Sequence, residues 1–123
     1  HTAWARSVLG ASPLMPSVKV VLDADADRAR ESARSSVGPT LRMPAYRQNL
    51  IRLGYSEDDV AREPSDRVVD ALVVGGDVDT IRRRVAAHLD AGADHVCIEV
   101  LTGDDTTVPM AAWRELAPAL TTL

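Results

Sequence analysis

Apolar positions along this chain recur mostly at helical spacing, with alternation in two short runs. Residues 2–9, "TAWARSVL", put Trp4 and Val8 one turn apart, and Gly10 stands where a helix would close. In "VKVVL", Val18, Val20 and Leu22 alternate with Lys19 and Val21, which predicts a strand over 18–22. Asp23 or Asp25 is placed to cap a following helix, "ADRARESARSSV", whose Ala29, Ala33 and Val37 fall four residues apart. Gly38-Pro39 should stop it.

Pro44 opens a second short helix, with Tyr46, Leu50 and Leu53 on one face and Gly54 at its end. Ser56 with an acidic residue three positions later has the form of a capping box. Ser65 opens another helix, "SDRVVDALVV", with Val68, Val69 and Leu72 inward. After "GGD", Asp77 caps "VDTIRRRVAAHLDA", where Ile81, Val85 and Leu89 form the buried stripe and Gly92 ends the helix. A final helix begins at Pro109, with Met110, Trp113 and Leu120 sharing a face.

"HLDAGADHVCIEV" (88–100) then has the form of one helix-to-strand step of a parallel sheet. The strand it predicts, 95–101, carries Val96, Ile98 and Val100 on one face and Cys97 and Leu101 on the other. Apolar residues on both faces are the mark of a parallel strand covered on both sides. Two strands are too few to shield one another, because a sheet that small leaves its edges unpaired. Either these steps belong to a larger sheet, or the helices bundle around a stunted one.

Composition narrows the classes. A chain of 123 residues suits one domain and buries about two-thirds of its unfolded surface. With aromatics at 3% and no Phe, its core must be aliphatic. A formal net charge of −4 argues against nucleic acid or an anionic membrane as partner. No apolar run approaches the roughly 20 residues that span a bilayer. No signal peptide is evident, and the lone Cys97 cannot form an internal disulfide, so a cytoplasmic location is expected.

Candidate chemistry is sparse. "VVGGDVDT" puts glycines before a helix N-terminus, where phosphate can bind. It matches neither the dinucleotide fingerprint nor the P-loop, and Asp77 and Asp79 would repel an anion, so a capped helix start is expected. "DADAD" (23–27) resembles the opening of a calcium loop, but Arg28 and Arg34 replace its Gly and final Glu. Helix capping is expected there, and no metal site. His95 and Cys97, two apart on a strand, share a face about 7 Å apart, too far for a nucleophile–base pair. Cys97 is expected to be buried and structural, and Arg82, Arg83 and Arg84 to form a solvated face.

"PAYRQNLIRLGYSEDDV", "SDRVVDALVVGGDVDTIRRRV" and "LDAGADHVCIEVL" together resemble the C-terminal part of the luciferase-like F420-dependent oxidoreductases. "HTAWARSVLG" followed by "VKVVLDADADRARESAR" resembles the same family, so the likeness covers nearly the whole chain in the family's order. No single motif is specific; the combination in register carries the resemblance. It implies an α/β fold, the C-terminal portion of a (β/α)8 barrel, helix-rich with two or three parallel strands. Residues 1–123 would be one partial domain, the C-terminal half of the barrel, with strands near 18–22 and 95–101.

The resemblance also implies a deazaflavin coenzyme, F420 or FMN, in an intact enzyme that exchanges hydride with a small organic substrate. The residues that grip the coenzyme would lie mostly on earlier strands, so no catalytic or coenzyme-binding residue carries over to this chain, which would be inactive alone. Glu99 could face the barrel interior with a partner such as an arginine, or sit at a partly wet strand end. "TGDDTT" (102–107) would be a polar loop on the ligand face. The other expectation is a non-catalytic α/β module that works by homo-oligomerisation or by pairing with an upstream half.

Overall fold

The computed structural model describes residues 1–103 and 106–123, so Asp104 and Asp105 of the "TGDDTT" loop lie outside the described residues. A three-stranded parallel sheet is built around the first strand. Strand β1 (Ser17–Leu22) lies between β2 (Val73–Gly76) and β3 (Cys97–Val100), in the order β2-β1-β3. Val20 of β1 faces Val74 on one side and Val100 on the other. A parallel strand held between two neighbours is covered on both faces. Accordingly Val18 and Val20 are buried on one face and Val21 on the other.

Helices α1 (Thr2–Leu9), α2 (Ala26–Leu41), α3 (Pro44–Arg52), α4 (Asp66–Leu72), α5 (Val78–Asp90) and α6 (Met110–Leu120) surround the sheet. Parallel strands are joined by right-handed crossovers. The first steps from β1 to β2 and the second from β2 across to β3, so the two travel in opposite directions and put their helices on opposite faces. The core divides in that way. Ala29, Ala33, Val37 and Leu41 of α2 pack with Leu50 of α3, Val68 and Val69 of α4, and Val21 and Val73 of the sheet. On the other face Ile81 and Val85 of α5 and Leu116 of α6 pack on Val18, Val20 and Val74.

The α/β class, the parallel strands and the helix-rich character agree with the sequence. The strand order is not that of consecutive barrel strands, which lie side by side in chain order. β2 is a strand that the periodicity assigned to the end of a helix. The helix from Ser65 stops at Leu72, and Val73 turns to an extended φ of −131° without an intervening loop. Two β-branched residues gain more by pairing with Lys19 and Val20 than by one further helical turn.

Gly38-Pro39 does not stop α2, which runs on to Leu41 with Pro39 inside it. Burying Leu41 continues the stripe of Ala29, Ala33 and Val37, and the bond that Pro39 cannot donate falls near the helix end, where it costs least. Strand β3 is shorter than 95–101, and its Cys97 and Glu99 are exposed. The expectation of two covered faces fails because, among the described residues, no helix lies over β3 on the α2 side. Tyr46 and Leu53 are exposed, and only Leu50 of α3 is buried. In α6 the buried residue is Leu116, whereas Met110 and Trp113 face outward.

Caps agree more closely. Asp25, not Asp23, caps α2 by accepting from the Asp27 and Arg28 N–H groups. Asp77 caps α5 and Ser65 caps α4. Gly92 follows α5 at φ 96°, and a Cβ there would meet the Arg6 side chain at 2.9 Å. Arg6 uses the room, donating from Nε to the Gly92 carbonyl and from Nη1 to those of Gly10 and Ser12. It also pairs with Asp94, tying α1 to the turn before β3.

One contact tests the α2–β2 packing. A Cβ at Gly75 would lie 2.6 Å from the Ala29 Cβ, an atom with no rotamer to escape into. Gly75→Ala should therefore force α2 off the sheet and destabilise the fold by roughly 1–3 kcal/mol. Urea unfolding would show a lower midpoint at unchanged slope; equal or greater stability would contradict the close approach.

Candidate functional site

The two sheet faces are covered unequally, and that leaves a groove. After β1 the chain turns onto the face that carries α2; after β3 it runs to α6 on the other face. Beside β3, on the α2 side, a space of about 510 Å³ remains between Ser36 and Thr40 of α2, Lys19 of β1, and Glu99 and Leu101 of β3. The loop after β3 leans toward α2, with Gly103 close to the Ser32 hydroxyl.

Its central feature is set by register. Lys19 and Glu99 are direct partners across the β1–β3 pair, so their side chains leave the same face side by side. Lys19 Nζ donates to Ser36 Oγ at 2.7 Å and stands 3.8 Å from Glu99 Oε1. Ammonium, carboxylate and hydroxyl therefore share one wall. They can hydrogen-bond a small polar molecule, but they do not form a nucleophile with its base.

The aspartates of "DADAD" are occupied by the fold. Both Asp23 oxygens accept from Arg28, at 2.7 and 2.9 Å, which holds the Asp23 carboxyl below the usual range. Asp25 caps α2. Among the described residues no cluster of His, Cys, Asp or Glu could hold a metal ion. At "GGD", Asp77 Oδ1 accepts from the Thr80 N–H at 2.8 Å, filling the place an anion would need.

His95 precedes β3 rather than lying on it, and both it and Cys97 are exposed. The expectation of a buried Cys97 is thus corrected: the helix that would cover it is on the other face. Arg82, Arg83 and Arg84 are exposed; Arg82 reaches the Ala119 carbonyl and Arg83 the Thr80 hydroxyl. Glu99 does have a basic partner, but it is Lys19 rather than an arginine, and the pair is open to solvent.

Two further groupings are seen only in the structure, one joining distant segments and one local. Thr2 Oγ1 lies 2.8 Å from His88 Nδ1. Asp59 gathers four donors from one stretch: the Ser56 N–H and hydroxyl at 2.9 and 3.0 Å, the Ser65 hydroxyl at 2.7 Å, and Arg67 at 3.1 Å. Arg67 in turn stacks on Tyr55, 4.5 Å from the ring centre. The Ser56–Asp59 capping box was visible in the sequence, although it organises turns rather than a helix.

The Ser56 backbone and Ser65 hydroxyl bonds lower the Asp59 pKa to about 2. An unfolded aspartate titrates near 3.9. A depressed native value adds stability above the unfolded pKa and loses it as pH falls through the native one. Asp59→Asn should therefore unfold more readily at neutral pH and lose less stability between about pH 4 and pH 2 than the wild type. Parallel pH–stability curves for the two proteins would contradict this role.

A deazaflavin or flavin mononucleotide needs a long apolar slot for its ring system and donors for a phosphate. The groove supplies one cation, already engaged by Ser36 and Glu99, and no aromatic wall. The residues present do not fit such a coenzyme. No protein-family model, curated protein or solved structure matches this chain.

Proposed function

We propose that this chain is the C-terminal portion of a luciferase-like F420-dependent oxidoreductase, supplying scaffold rather than the hydride-transfer machinery. One observation carries the reading. The chain makes three successive parallel strand-to-helix steps, β1 to α2, β2 to α5 and β3 to α6, and "VKVVLDADADRARESAR", "SDRVVDALVVGGDVDTIRRRV" and "LDAGADHVCIEVL" supply their strands in that order. In the intact enzyme a deazaflavin, F420 or FMN, would exchange hydride with a small organic substrate at the strands' C-terminal ends. The poor fit of the groove to that coenzyme agrees with its grip lying on earlier strands.

The reading has a structural consequence. Consecutive barrel strands neighbour one another in chain order, so β3 would sit against the free edge of β2 in the intact barrel. In this chain β3 lies on the far side of β1 instead. An upstream strand would claim that place and release β3 to β2.

Titration of the isolated chain with F420, followed by coenzyme fluorescence, tests the proposal. No saturable binding is expected at micromolar coenzyme, and neither is hydride transfer. Micromolar binding would contradict the assignment of the coenzyme site to segments outside this chain.

A second reading, a module that acts by association, is favoured by the apolar side chains left outside. Trp4 and Val8 on α1 and Met110 and Trp113 on α6 are all exposed, and among the described residues the outer edges of β2 and β3 carry no further strand. Light scattering of the isolated chain should then give twice the monomer mass or more. A clean monomer across the micromolar range would contradict it.

A further inference from the structure

At the opposite end of the sheet, where the strands begin, lies a cavity of about 540 Å³ that neither reading uses. Two of its walls are apolar: Tyr46 and Leu50 of α3 with Leu53 just after it on one side, Leu72 and Val74 at the α4–β2 junction on the other. That volume lies in the range of small-molecule sites, which combine an apolar lining with a few polar groups.

The charge in this cavity is one-sided. Arg84 of α5 reaches it, and no Asp or Glu lines it. Among the described residues Arg84 makes no ion pair, and its guanidinium makes one long hydrogen bond, 3.5 Å from Nη2 to the Asp70 carbonyl. The Asp70 carboxylate is taken by Arg30, at 2.9 and 3.0 Å. His88 lines the same end, set against Thr2 Oγ1. Burial and the nearby Arg84 both lower its pKa, as does the N-terminal ammonium of His1, which lines the same end of the cavity. A planar guanidinium beside apolar walls suits a carboxylate attached to an apolar body, because Arg binds carboxylates through two parallel N–H bonds.

We propose that this cavity binds a small aryl- or alkyl-carboxylate, its apolar body between α3 and the α4–β2 junction and its carboxylate on Arg84. The half-exposed Tyr46 and Leu53 would then be the mouth of the site, closed by the ligand. The site borders the Lys19–Glu99 groove at Thr40 but lies away from the strand ends where a barrel coenzyme would sit, so it does not depend on the oxidoreductase reading.

The test uses 4-phenylbutyrate and its uncharged counterpart 4-phenylbutanamide, titrated against the isolated chain without coenzyme and followed by amide NMR shifts. The acid should bind saturably, with shifts at α3, the α4–β2 junction and α5, and about tenfold more tightly than the amide. Arg84→Gln should remove that tenfold preference, while Arg82→Gln, on the same helix but outside the cavity, should keep it. Equal binding of acid and amide, shifts centred on the Lys19–Glu99 groove, or no saturation at millimolar acid would overturn the proposal. So would a self-association that covers α3 and excludes the acid. A variant that fails to fold would show in its amide spectrum, and the acid-against-amide comparison on the wild type decides the matter without it.

Discussion

The pairing of β1 with a parallel neighbour on each side is the constraint on which the rest of this structure depends. Val18, Val20 and Val21 are buried only because β2 and β3 cover both edges of their strand and helices cover both faces. Parallel pairing requires a crossover for each strand, and the crossovers from β1 to β2 and from β2 back across to β3 run in opposite directions and put their helices on opposite faces. The two core clusters, one led by α2 and the other by α5, follow from that. Neither cluster could form around β1 alone, since an isolated strand offers each helix too narrow a surface.

The same topology sets what remains uncovered. The first crossover carries three helices to the β2 side and the second carries one, so β3 has a helix layer on one face only. Glu99 stays wet and paired with Lys19, Cys97 stays exposed, and a polar groove lies where a further strand or helix would otherwise pack. The groove is therefore a product of an incomplete layer. That is why its polar groups face one another and make no catalytic arrangement.

Much of the local structure was legible in the sequence. Aspartate and serine caps at Asp25, Ser65 and Asp77, the glycine stop at Gly92 and the stripe of Ile81 and Val85 depend on neighbours within a turn or two. What escaped depends on partners far along the chain. Val73-Val74 is as good a helix end as a strand until β1 offers its edge. Gly38-Pro39 is a stop signal until Leu41 finds a core to enter. Cys97 and Glu99 sit on one strand face whose cover depends on which side of β1 the strand docks, and no residue spacing encodes that. The Lys19–Glu99 pair could be named only once the register was known.

The position of β3 is thus the point at which the open sheet and a barrel segment part. Interstrand NOEs measured on the isolated chain address it most directly. A central β1 predicts contacts from Ile98 to Val18 and from Val100 to Val20, matching the parallel register. Contacts joining β3 to the Val73–Gly76 strand, in place of those to β1, would put the strands in chain order and contradict the account.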